Sequence, residues 1–311
     1  MTALSFAHLS DIHISSLGNH DELLSGQAAA ILARLVAALN AQPELEFVLI
    51  SGDLFDQADR GELEQFQRVI AGLEKPCYII PGNHDRRPAD SQAGLTRREF
   101  AEWFNPQVNA RPTAPADQAG YWSVAIRPNV QLIGLDSIRD RDWGGEIDAP
   151  QLAWLAAELA EHADKLIILT VHHPLHRLAP VDDLPEWRHF VCDTGPELLA
   201  RLDRHPAVKL VLTGHHHFSK VDQLGRRLHI ATPSICMYPC AYRTLRLSSQ
   251  TEGRWRIEWH SQPTVDAETM ALAEKLMLEA WQQAGFSRDF VEEHIELARG
   301  TETDRNGSVV I

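Results

Sequence analysis

The chain has 311 residues, of which 44% are hydrophobic and 23% charged, and its formal net charge is −14. This composition fits a soluble globular protein with room for one large domain or a domain plus an appendage. The acidic balance argues against a nucleic-acid polymer as partner, because tracking a phosphate backbone requires Lys and Arg. No run approaches the roughly 18 apolar residues of a membrane span, so no membrane partner is expected. No basic leader precedes the first apolar run, and Cys77, Cys192, Cys236 and Cys240 lack paired spacing. Reduced thiols and a cytoplasmic location are the default expectations.

In chain order, an apolar run over 4–9 predicts a strand that leads into Asp11-Ile12-His13. Helical spacing follows over 21–39, then a strand over 47–50 that reaches Gly52-Asp53-Leu54-Phe55-Asp56, and a helix over 62–73. A third strand ends at Pro81-Gly82-Asn83-His84-Asp85. This β-α-β-α-β opening predicts a parallel or mixed sheet covered by helices. A helix over 96–104 and a surface loop over 105–120 come next, then strands over 121–126 and 130–135 that end at Asp136-Ser137. Asp148, with Pro150 and Gln151 behind it, signals a helix start.

Another apolar run, 166–171, ends in His172-His173-Pro174 and opens a long connection over 174–193, a length typical of segments that serve a site. A short helix over 195–204 precedes the strand that delivers Gly214-His215-His216-His217. Strand-like segments at 219–223, 226–230, 242–247 and 255–259 predict a second, largely antiparallel sheet. Helical patterns begin at Asp266 and recur over 290–298, and the last dozen residues read as a frayed tail. The division expected is a catalytic domain over 1–262 and a helical C-terminal extension over 263–311. That extension is a candidate arm for a homodimer.

Polar groups at the ends of buried strands are costly unless something charged lies beside them. Five strand-like runs here end in His, Asp or Asn, which places a metal site along one sheet edge. The donors are oxygen and imidazole nitrogen without a thiolate set, which suits a hard or borderline dication. More donors converge than one ion needs, and a carboxylate can bridge two. Two dications about 3.5–4 Å apart can pin a phosphoryl group and hold a bridging hydroxide for in-line attack, with one nearby proton donor still required.

Asp11-x-His13, Gly52-Asp53-x-x-Asp56, Gly82-Asn83-His84-Asp85, His172-His173-Pro174 and Gly214-His215-x-His217 together resemble the ordered motifs of the calcineurin-like metallophosphoesterases. The resemblance spans roughly residues 4–250. Leu135-Asp136-Ser137, Gly144-Gly145-Glu146 and Ala231-Thr232-Pro233-Ser234 resemble more particularly the bacterial cyclic-nucleotide and glycerophosphodiester phosphodiesterase branch. It implies a two-sheet α/β sandwich flanked by helices, to which the residue pattern adds a helical tail, with the site at the C-terminal strand ends and two divalent metal ions (Mn, Fe, Zn or Co). Asp11, His13 and His217 would hold the first metal; Asn83, His172 and His215 would hold the second, with Asp53 bridging. His84 would stabilise the phosphoryl transition state or protonate the leaving alkoxide, and Asp85 would orient its ring. The implied activity is hydrolysis of a small-molecule phosphodiester, a cyclic nucleotide or a glycerophosphodiester.

Each motif also has a plainer reading, since Asp11 alone could cap a loop and Gly82-Asn83 could be only a turn. His8, His162 and His229 need no role beyond packing. His173 reads as a supporting partner, His216 as pointing away from the metals, Asp56 as loop support, and Asp136 as either a supporting partner or a strand-end cap. Trp143, Trp187, Tyr238 and Arg243 are candidates for the pocket wall. A phosphomonoesterase is the close rival, while a nuclease is disfavoured by the acidic charge and an inactive binding module by the complete donor set. Gln57 and Asp85 depart from the protein serine/threonine phosphatase pattern, which has Arg and Glu at those places.

Overall fold

The computed structural model describes residues 3–86, 94–104, 120–139 and 142–311. The loop read over 105–120 lies outside the described residues except for Gly120. Strands β1 (Leu4–Leu9), β2 (Phe47–Ile50) and β3 (Cys77–Ile79) pair in parallel, linked by α1 (Ser25–Asn40) and α2 (Arg60–Ile70). Asp59 fixes the start of α2 through a reciprocal capping box with Glu62. After α3 (Arg97–Phe104), a second sheet begins with β4 (Trp122–Arg127) and β5 (Val130–Gly134). It continues through α4 (Ala149–Glu161), β6 (Leu166–Thr170), α5 (Gly195–Leu202) and β7 (Val208–Thr213), with β5, β6 and β7 in parallel.

The remaining strands β8 (Lys220–Leu224), β9 (Arg227–Ala231), β10 (Ala241–Ser249) and β11 (Trp255–Pro263) do not form the separate antiparallel sheet expected from their sequence. β8 and β9 extend the second sheet, whereas β10 and β11 run antiparallel beside β1 in the first. The first sheet is therefore parallel over β1 to β3 and antiparallel beyond, whereas the second is parallel over β5, β6, β7 and β9 with antiparallel β4 and β8 at its two edges. The reason is burial: all residues of β9 and most of β10 are covered, so each hairpin is spent on a sheet that already has a face to pack.

A second correction concerns the tail. After α6 (Ala267–Gln283), α7 (Arg288–Arg299) and the short α8 (Glu302–Arg305), the strand β12 (Asn306–Val310) pairs antiparallel with β11 as the outermost strand of the first sheet. Polar side chains on one face of an edge strand disguise it in the sequence, because only the ladder hydrogen bonds and the alternate residues are used.

The two sheets pack face to face over Leu4, Phe6, Leu49, Trp122, Ile168, Leu212 and Trp259. Their outer faces are covered by α1 to α3 and α6 to α7 on one side, and by α4 and α5 on the other. With both faces buried, β6 and β7 read as continuous apolar runs rather than alternating ones. All four cysteines are buried free thiols. Among the described residues, no helix is long and apolar enough to cross a membrane.

Candidate metal centre and substrate pocket

The parallel strands of both sheets deliver their C-terminal ends to one crevice, the usual place for a ligand in α/β sheets. The loops after β1 and β2 are laced together by Asp11 N–H to Gly52 O (3.0 Å), Ile12 N–H to Asp53 O (2.7 Å) and His13 N–H to Asp53 O (3.0 Å). Asp11, His13, Asp53, His215 and His217 all adopt left-handed backbone conformations, with φ of 53°, 48°, 52°, 67° and 56°. Such non-glycine backbone costs on the order of 1–3 kcal/mol per residue and concentrates where function demands a direction from a side chain. Two glycines permit the approach. A Cβ on Gly82 would collide with the Asp53 carboxylate, and one on Gly214 would lie 2.5 Å from Asp11 Oδ2.

The side chains converge as two adjoining groups. In the first, His217 Nε2 lies 3.3 Å from Asp11 Oδ1 and 3.2 Å from His13 Nε2. In the second, His172 Nε2 lies 3.3 Å from Asp53 Oδ2 and 3.1 Å from Asn83 Oδ1. The donor atoms of Asp11, His13 and His217 all fall within 4.8 Å of one another, as do those of Asp53, His172 and His215. Asp53 Oδ1 accepts the His84 backbone N–H at 2.8 Å, while its Oδ2 also lies 3.8 Å from His13 Nε2. That oxygen stands between the groups. His172 donates Nδ1–H to the Ser51 carbonyl at 2.7 Å, which directs Nε2 at the Asp53 carboxylate and the crevice.

Converging lone pairs repel, and burial makes that repulsion expensive. The His215 Nε2 nitrogen is buried without a partner. Burial drives the His13 pKa down to about 3 and holds His215 well below the usual range, both helped by neighbouring imidazoles. Burial also opposes charge on His172, but the Asp53 carboxylate beside it outweighs this and lifts it to about 9. Asp53 itself ionises far below the ordinary carboxylate range, because His172 and His84 overcome the cost of its burial. Orphaned imidazole nitrogen beside buried carboxylates is the donor set that a dication satisfies, so the residues present fit the metals implied by the sequence.

His84 lies at the rim of this centre, its ring edge-on to His13 and to Trp143 with centroids 4.8 Å apart in each case. The ring is not oriented by Asp85, as expected from the sequence, but by Nδ1–H to the Asp56 carbonyl at 2.9 Å. Asp85 instead accepts the backbone N–H groups of Gly82, Leu54 and Phe55 at 2.8, 2.7 and 3.2 Å, tying the β2 and β3 loops together. Adjacency in sequence misleads here, since consecutive side chains of a tight turn point apart. His173 receives Ser137 Oγ at Nδ1 (2.8 Å), reaches the Trp143 carbonyl through Nε2 (2.9 Å), and packs its ring 4.1 Å from that of His215.

His216 points away from the donor groups and pairs with Asp182. Asp136 is an ion-pair hub between Arg86 and Arg97, and also caps the Ile138 N–H. Above the donors lies a cavity of about 230 Å³ lined by Trp143 and Trp187. Tyr238 and Arg243 do not line it; Arg243 is buried and donates to the Asp304 carbonyl (2.7 Å), Ser219 Oγ (2.8 Å) and the Ala231 carbonyl (3.1 Å). Sequence reasoning missed Met237, whose sulfur lies 2.8 Å from His217 Nδ1, and also Phe190, Trp281 and His294. The last two come from α6 and α7, which fold back over the chain's own cavity. Only the helical periodicity of that segment was visible beforehand.

A family model of the calcineurin-like phosphoesterases matches residues 4–219. The chain belongs to that family and is a hydrolase acting on phosphoesters. Among individual proteins, it is 28% identical over 271 residues to the 3',5'-cyclic adenosine monophosphate phosphodiesterase CpdA of Escherichia coli K12, covering 86% of this chain and 89% of that one. It is 27% identical over 237 residues to the glycerophosphodiester phosphodiesterase GpdQ of Enterobacter lignolyticus, covering 76% and 78%. In fold it is similar to a dimetal phosphatase from Danio rerio, with a TM-score of 0.68 at 14% identity over 85% of this chain and 97% of that one.

Proposed function

We propose that the protein is a binuclear metal-dependent phosphodiesterase that acts on small diesters of the cyclic-nucleotide or glycerophosphodiester kind. Asp11, His13 and His217 would hold one dication and Asn83, His172 and His215 the other, with Asp53 shared. A metal pair so held supplies charge for the phosphoryl oxygens and acidifies water at neutral pH. The remaining chemistry belongs to the chain. The Asp56 carbonyl accepts Nδ1–H of His84, and the ring in its imidazolium form carries a second proton on Nε2 to give to the departing alkoxide, leaving neutral imidazole. Trp143 packs edge-on against the His84 ring.

The observation that carries a diester over a monoester is the charge of the cavity wall. Its described lining includes Asp21, Glu22 and Asp53 but no Lys or Arg. A monoester carries close to two negative charges at neutral pH and would meet those carboxylates without a compensating cation beyond the metals. A diester carries one. Its second substituent also gains the apolar surface of Trp143 and Trp187. The test is a comparison of bis(p-nitrophenyl) phosphate with p-nitrophenyl phosphate on the metal-loaded protein. The diester should be turned over with the higher kcat/KM; a reversed preference would make the protein a monoesterase.

A further inference from the structure

Each ligating imidazole has a second nitrogen, and what that nitrogen touches fixes the tautomer and direction of the ring. His172 uses the Ser51 carbonyl. His13 Nδ1 is buried without a partner among the described residues. His217 Nδ1 instead meets the Met237 sulfur at 2.8 Å. A thioether has lone pairs and no hydrogen to give, so the proton of this contact sits on Nδ1 and the nitrogen donates. The ring then directs Nε2 at Asp11 Oδ1, 3.3 Å away, and at His13 Nε2, 3.2 Å away. A neutral imidazole has a single N–H. With the sulfur holding it on Nδ1, Nε2 is the nitrogen left to ligate.

The turn that follows β9 holds the sulfur in place. Ser234 Oγ donates to the Asp11 carbonyl at 2.6 Å and accepts the N–H groups of Cys236 (3.1 Å) and Met237 (3.2 Å). Cys236 Sγ–H reaches the Ile12 carbonyl at 3.2 Å, and the Met237 carbonyl accepts Cys240 N–H at 2.6 Å. The backbone around the sulfur is thus bound to the same Asp11-Ile12-His13 turn that supplies two of the three donors of the first group. Packing alone does not account for the contact. Leucine would fill nearly the same volume against the ring but would leave the Nδ1–H without an acceptor. Both side chains are largely buried, so water has little room to replace the sulfur.

We propose that Met237 is a positioning residue of the metal centre: its thioether accepts the Nδ1–H of His217 and so fixes which nitrogen takes the first dication. The proposal rests on the metal-pair reading above. Residue 237 lies beyond the 4–219 family match, so the motifs that define the family do not require a sulfur here.

The test is calorimetric titration of the metal-free full-length protein with manganese(II) chloride. The parent should show two binding events, and His217→Ala identifies the one that belongs to the first group. Met237→Leu should weaken that event about 10- to 100-fold and leave the other within about threefold. Met237→Gln, which offers an amide oxygen at a similar reach, should restore most of the affinity and separates a lost acceptor from a packing defect. In a His217→Ala background, Met237→Leu should change nothing further in the remaining event, because its effect runs through that ring. Equal losses in Met237→Leu and Met237→Gln, or a further loss in the His217→Ala background, would overturn the assignment. Two events that ignore Met237→Leu would remove the positioning role and leave the metal pair standing. A single event in the parent, weakened by Met237→Leu and restored by Met237→Gln, would remove the metal pair and keep the role of the sulfur. A single event indifferent to Met237→Leu would remove both.

Discussion

The floor and the roof of the cavity are built on opposite principles. The floor is set by backbone: strand ends, glycines without room for a Cβ, and left-handed residues that aim Asp11, Asp53 and His215 from fixed points. The roof is set by side-chain packing, with Trp187, Trp281 and His294 in mutual ring contact across segments far apart in the chain. Rigidity placed where the reacting atoms lie, and replaceable surface placed where the rest of the substrate lies, is how one metal centre can serve different esters.

The sharpest way to break this comparison is Asp53→Ala. If the floor is one unit held by a shared carboxylate, metal content measured by mass spectrometry should fall together with activity, each by more than about 10²-fold. Retained metal would separate the two donor groups. His84→Ala should keep the metal and slow turnover by about 10²–10⁴-fold for a poor leaving group, with a smaller loss for p-nitrophenolate, which departs without a proton. Equal losses for both leaving groups would take proton donation away from His84.

The support beneath the floor can be tested through stability. Asp136 is buried between Arg86 and Arg97, and their charges outweigh the burial cost and hold its pKa below the usual range. A depressed folded pKa contributes stability that is complete above the unfolded value near about 4 and is lost as pH falls through the folded value. Asp136→Asn should therefore cost about 3–5 kcal/mol at neutral pH, the range for removing one partner of a buried ion pair, and the variant should lose less on acidification than the parent. Urea midpoints at pH 7 and pH 3 measure both. The smallest effect belongs to the sheet edge beyond the roof's helices: deleting residues 306–311 should lower Tm by about 5–10 °C, at about 2–4 °C per kcal/mol, while the metal stays bound. An unchanged Tm would restore the frayed tail.

The same division decides what could be read from the sequence. Asp11, Asp53, Asn83, His172 and His215 were legible because a polar donor at the end of an apolar run is anomalous locally, and five such anomalies in order are specific. The hold of the Asp56 carbonyl on His84 was not, since a backbone acceptor leaves no mark in the residue type. Met237 and Trp281 read as ordinary apolar positions, and their place near the site depends on how distant segments pack. The strand at Asn306–Val310 was hidden because its partner, β11, lies on the far side of three helices, α6, α7 and the short α8.

β12 returns to the sheet directly beside β11, with His260 opposite Asn306. The helical excursion between them thus departs and re-enters through neighbouring strands, about 4.8 Å apart. Its endpoints are anchored by the same ladder whatever the helices contain. The segment acts as an adjustable roof: with the faces that pack on the first sheet kept, exchanges at its cavity-facing positions such as Trp281 and His294 would change which esters are accepted while the strand anchors stay in place.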